Sequence, residues 1–155
     1  MPDTLAYDLA LLNQTRANLV GLLRGHSLAQ LNAIPPGLNN NLVWNAAHCH
    51  VTLRLLTYGL GGHGHGLDEG YVATYRKGGR PEGSVDEVFV DTLVENLEAA
   101  PAELGRDLDA LEWGEYRAYT TSYGAAMTTV EQAVRFNSVH EGMHLGTMLA
   151  MRRLV

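Results

Sequence analysis

Apolar residues in this chain recur every three or four positions in four separate stretches, the spacing at which one face of an α-helix is buried. From Asp3 to Arg24 the stripe is Leu5, Leu9, Leu12, Leu19 and Leu23. A second helix is expected after the run Asn39-Asn40-Asn41, where asparagine can cap, through Leu42, Trp44, His48, Val51 and Leu55 to Tyr58. The third follows Ser84-Val85-Asp86-Glu87, an S-x-x-E capping pattern, and carries Val85, Phe89, Leu93, Leu97, Ala100 and Leu104. Pro101 falls inside that stripe and predicts a kink or break near Ala100. The fourth opens at Thr128-Thr129-Val130-Glu131 and is expected to run to the end of the chain, with Arg152 and Arg153 in its last turn.

The connections read differently. One or two helical turns are expected over Ser27 to Asn32, stopped by Pro35-Pro36-Gly37. From Gly59 to Gly83 the chain is Gly-rich and bears aromatic residues, a loop long enough to need a functional or dynamic reason. Glu112 to Met127 reads as extended or looped, with Tyr116 and Tyr119 available to hold it against the helices. Four long helices without a strand pattern define an all-α, four-helix bundle with a long loop between helices 2 and 3, as one domain over residues 1–155.

A chain of 155 residues can bury a core without staples, and 46% hydrophobic with 18% charged residues is ordinary for a globular protein. Cys49 is the single cysteine, which excludes an internal disulfide framework and a zinc site built on thiolates. The net charge of -6 and the lack of a basic stripe argue against nucleic acid as partner. No apolar run is long enough to span a bilayer and no secretory signal pattern opens the sequence, so the expected location is cytoplasmic, with no membrane partner.

The chemistry concentrates in the histidines. His140 and His144 are four apart on an expected helix, so their side chains lie one above the other on one face, the spacing at which two imidazoles grip one ion. If the second and fourth helices are neighbours, His48 completes a three-nitrogen site of the kind bundle cores build. His140-Glu141-Gly142-Met143-His144 also matches the H-E-x-x-H pattern of zinc proteases. Against that reading, no His, Asp or Glu follows from Leu145 to Val155, and no strand is expected that would align a peptide. Glu141 reads as a solvated helix residue, because adjacent helix positions diverge by about 100°. His50 points away from His48; His63 and His65 read as loop residues, His26 as structural, and Cys49 as a small packed group.

Three segments carry a likeness to a known family. They are Leu31-Asn32-Ala33-Ile34-Pro35-Pro36-Gly37 leading through Asn40-Asn41-Leu42-Val43-Trp44-Asn45 to His48; Tyr75-Arg76-Lys77-Gly78-Gly79-Arg80-Pro81; and His140-Glu141-Gly142-Met143-His144-Leu145-Gly146. Together they resemble the DinB-like helical-bundle metalloproteins. The resemblance implies metal ligands at His48, His140 and His144, an up-up-down-down bundle and a homodimer.

Three neutral imidazoles suit zinc or nickel, with iron(II) next, better than magnesium or calcium, and three protein ligands leave a position open for water or substrate. Some family members are thiol S-transferases using bacillithiol or mycothiol. The resemblance therefore implies a metal-dependent enzyme that activates a low-molecular-weight thiol toward an electrophile. Tyr71, Tyr75 and Arg76 in the long loop, with Lys77 beside them, are the expected substrate contacts; no catalytic residue is assigned. The alternatives left open are a non-catalytic metal-binding stress or scaffold bundle, a metal-dependent hydrolase, and a hydrogen-bonded histidine cluster with no metal.

Overall fold

The computed structural model describes residues 3–155, with side chains from Leu5 onward. It is mainly helical: α1 (Asp3–Arg24), α2 (Leu28–Asn32), α3 (Leu42–Arg54), α4 (Glu69–Tyr75), α5 (Glu87–Ala110) and α6 (Val130–Met151). A five-residue π-helical turn, Leu55–Gly59, extends α3, and two short strands, β1 (Tyr119–Thr120) and β2 (Ala126–Met127), pair antiparallel. The long helices form a closed circuit of contacts, with α1 against α5 and α6, and α3 against α6 and α5.

Local signals explain most boundaries. Ser27 and Gln30 form a reciprocal capping box at α2, and Asn41 caps α3 by accepting from the Trp44 N–H. At α5 the cap is Asp86, which accepts from the Phe89 N–H, so the helix begins two residues later than the Ser84 pattern predicted. At α6 the cap is Thr129, accepting from the Gln132 N–H, while the Gln132 side chain reaches back to the Thr128 N–H. That helix ends at Met151, leaving Arg152 as its C-cap.

Tertiary packing settles two points that local pattern left open. Helix α5 runs unbroken through Pro101, whose ring is buried. A proline inside a helix costs about 3 kcal/mol, and packing of the Leu97, Ala100 and Leu104 face against α1 offsets it. The loop after α3 is not featureless either. It holds α4, capped by Asp68, and packs α4 against α3. Arg54 anchors its start: Nε donates to the His65 carbonyl at 2.8 Å, Nη1 meets Glu103 at 2.9 Å, and the guanidinium lies 4.0 Å above the Tyr58 ring. At Gly61 the Trp113 ring occupies the space that a Cβ would need, so this turn requires glycine for close approach.

Helix α3 is buried on every side from Leu42 to Val51, not on one face as its apolar spacing suggested. A helix enclosed this way must satisfy each polar side chain internally. It carries Asn45, His48 and His50; the partners of Asn45 and His48 build the site, while His50 meets the Tyr71 hydroxyl at 3.3 Å away from it. The 112–127 segment closes over one end: the Tyr116 hydroxyl donates to the Leu56 carbonyl at 2.9 Å, whereas Tyr119 is exposed. No described helix is long and apolar enough to cross a membrane.

Candidate metal centre

Packing of α3 on α6 brings His48 to His140 and His144. One nitrogen from each ring lies within 4.8 Å of the other two, and among the described residues these three are the group of ligand-type side chains that converges. His48 Nε2 and His140 Nε2 are 3.1 Å apart, and the His144 ring centroid is 4.6 Å from both other rings.

Neighbouring groups fix which nitrogens face inward. His48 Nδ1 is 2.6 Å from the Tyr75 carbonyl, which can only accept, so Nδ1 carries the proton and Nε2 is bare. The Trp44 ring stacks on His48 at 4.9 Å and 8°, and is held by its own bond from Nε1 to the Thr74 carbonyl. His144 Nδ1 is 2.8 Å from Asn45 Oδ1. The Asn45 amide nitrogen donates to Asn40 Oδ1 and to the Asn41 carbonyl, which orients its oxygen toward His144. His144 therefore donates through Nδ1 and turns a bare Nε2 inward. These are the partners that orient metal-binding histidines. His140 lacks one: its Nδ1 is buried without a hydrogen bond to the described residues.

Electrostatics agree with the geometry. Burial lowers the His48 pKa, against a smaller opposing effect of the Tyr75 bond. Burial, then repulsion from His144 and His48, lowers His140 to about 3; burial and His48 lower His144 to about 4. All three rings are neutral near pH 7, the form that ligates metal. Two nitrogens bound at about 2.0–2.1 Å to one ion lie about 2.9–3.3 Å apart for ordinary bond angles, and the 3.1 Å between the His48 and His140 nitrogens falls in that span. The donor set fits one nitrogen-seeking divalent ion.

The histidines line the base of an open cleft of about 500 Å³. Leu55 and Leu56 from the π-turn, Arg76 and Lys77 just after α4, Tyr119 and Tyr123 from the hairpin region, and Phe136 from α6 form its sides. Of the residues expected to contact substrate, Arg76 and Lys77 line this cleft. Tyr71 and Tyr75 do not: they turn inward and pack with Phe89, and the Tyr75 backbone, not its ring, serves the site. Tyr123 and Asn45 are the residues sequence reasoning overlooked. An asparagine one turn before a histidine, inside an apolar helix, was the available signal for Asn45.

Glu141 corrects the sequence reading. It is fully buried, not solvated, and forms a fork with Arg16 of α1 at 2.8–3.2 Å. Burial raises its pKa and Arg16 opposes the rise. A carboxylate locked to a guanidinium in the core is no general base for a cleft on another face of α6, which removes the protease reading. His63 packs edge-on against Trp113, and His65 accepts from the Leu67 N–H and lies 3.3 Å from Glu69. Neither joins the triad. His26 Nδ1 is 2.7 Å from the Leu22 carbonyl, and Cys49 is buried.

A mainly helical protein with three neutral histidines gathered at the base of a cleft defines the class: a helical protein whose site can hold a metal ion. The sequence profile of the DinB superfamily matches residues 11–148, and the chain belongs to that superfamily. No curated protein matches the chain significantly.

Proposed function

We propose that this protein is a metal-dependent enzyme of the thiol S-transferase type. His48, His140 and His144 hold one divalent ion, zinc or nickel first and iron(II) next, and a low-molecular-weight thiol is joined to an electrophile in the cleft above them. The observation that carries this reading is the convergence of three neutral imidazoles at the base of an open cleft. An ion bound there supplies Lewis acidity that holds a sulfur as thiolate, the nucleophilic form. The thiol loses its proton to solvent through the open mouth. Its sulfur forms one bond to the electrophilic carbon, and the leaving group departs with the displaced electron pair. Asn45 and the Tyr75 carbonyl keep the bare nitrogens aimed inward throughout. A sealed ion with a fourth protein ligand would have favoured a structural role; no fourth His, Cys, Asp or Glu joins the group among the described residues.

The same proposal includes the finer family features: an up-up-down-down order of the four long helices, one domain over residues 1–155, a homodimer and a cytoplasmic location. The test is elemental mass spectrometry of the purified, untagged protein beside His140→Ala. The expected result is about one ion per chain, lost in the variant, with metal-dependent consumption of a thiol in the presence of an aryl halide. Absence of metal from both proteins, after incubation with zinc, nickel and iron(II), would refute it.

A further inference from the structure

The motif Tyr75-Arg76-Lys77-Gly78-Gly79 is only partly explained by the metal centre, which uses one carbonyl of it. The remainder is a turn that ends α4 at the rim of the cleft. The Gly79 N–H donates to the Arg76 carbonyl at 2.9 Å, and Gly78 has φ 87°, where other residues are strained. A Cβ on Gly79 would overlap the Thr74 carbonyl. Both glycines are thus needed for a tight reversal that sets Arg76 and Lys77, both exposed, at the mouth of the cleft.

The charge pattern there is one-sided. The chain has 17 acidic against 11 basic residues, yet no Asp or Glu lines this cleft among the described residues. A second cavity of similar size, about 460 Å³ between α1, α2 and α5, has Glu87, Asp91 and Glu95 in its lining. Arg76 and Lys77 make no ion pair or side-chain hydrogen bond with any described residue, a state shared with other exposed arginines such as Arg80 and Arg152; what sets them apart is their place on a cleft whose described lining has no carboxylate. Two unpaired cations at an acid-free mouth, above Leu55, Leu56 and Phe136, suit an amphiphilic anion. Guanidinium supplies a planar fork for carboxylate or phosphate oxygens, and ammonium a second point charge.

We infer that the cleft selects a small organic anion, an apolar body bearing a carboxylate or phosphate group, and that Arg76 and Lys77 bind the anionic oxygens. This rests on the proposed function in taking the cleft as the substrate site. It assigns Arg76 and Lys77 to specificity and not to the reaction itself.

The test is ligand binding, followed by the NMR resonance of the Trp44 indole, which lines the cleft. The full chain is titrated metal-free and zinc-loaded with 3-phenylpropionate, 2-phenylethyl phosphate and neutral 3-phenylpropionamide. The metal-free arm excludes direct ligation of the acids by zinc. At least one acid is expected to bind about tenfold tighter than the amide in both states, and to weaken as salt rises. The better acid identifies the anion class. In Arg76→Ala/Lys77→Ala the preference should vanish while zinc content stays unchanged, which also shows that the variant is folded. Equal binding of acid and amide, a preference that survives the double substitution, or no binding of either acid in the millimolar range would overturn the inference. Zinc bound normally without anion preference sinks this inference alone. Anion preference in a protein that never binds metal sinks the enzyme reading alone.

Discussion

Removing either partner of the Arg16–Glu141 pair should have unequal consequences. The two side chains are 1% and 0% exposed and meet through three contacts of 2.8–3.2 Å, tying α1 to α6 directly behind His140. Glu141→Leu strands a guanidinium that cannot lose its proton, so the expected cost is about 3–5 kcal/mol. Arg16→Met strands a carboxyl that can take one. Its folded pKa, already raised by burial, rises further without Arg16, above the 4.5 of the free group. Folded Arg16→Met then binds a proton that the unfolded chain releases, so its stability relative to wild type recovers as pH falls from neutral toward 4.5. Glu141→Leu shows no such recovery. The double variant replaces the pair by apolar groups and should lie within about 2 kcal/mol of wild type, or above it. Urea unfolding followed by circular dichroism at pH 7 and 5 measures all four proteins. Additive single effects, or a Glu141→Leu cost under about 1 kcal/mol, would refute a coupled buried pair. Retention of metal by the double variant would separate Glu141 from the metal chemistry.

Other consequences can be measured separately. Asn45→Leu removes the acceptor for His144 Nδ1 and should weaken metal binding about 10–100-fold in chelator competition; unchanged affinity would dismiss the orienting role. Metal-free protein should lose stability as pH falls below 6.5, because the unfolded chain takes protons that His140 (pKa about 3), His144 and His50 (about 4 each) refuse while folded. A thermal midpoint independent of pH between 6.5 and 4 would contradict those shifts. Leu104→Ala, at a fully buried position on α5, should cost about 2–5 kcal/mol in urea unfolding. Asn41→Ala removes the cap of α3 and should cost about 1 kcal/mol.

Residues that act through local chemistry were legible in the sequence. The spacing of Leu5, Leu12, Leu19 and Leu23 placed α1 at its observed limits, and Asn41 and the Ser27 segment marked the starts of α3 and α2. The i, i+4 pair His140 and His144, with His48 on the neighbouring helix, was readable because helical geometry fixes direction within a turn. Capping patterns misled by two residues at Ser84, since aspartate at 86 supplied an equivalent cap nearer the helix. Helix α4 was hidden because seven residues with a glycine among them carry too little periodicity.

The sequence by itself determined the helical class, the absence of disulfides and the three histidines, all of which depend on residue type and short spacing. Only the tertiary structure decided the fate of each polar side chain. Glu141 and Arg16, 125 positions apart, became a buried pair, and Tyr75 gave its carbonyl to His48 while Tyr71 turned inward. Arg76 and Lys77 stood unpaired at the mouth of the cleft. Periodicity records which face of a helix is apolar, but the partner of a buried charge is set by which helices pack together, and that is a property of the whole chain.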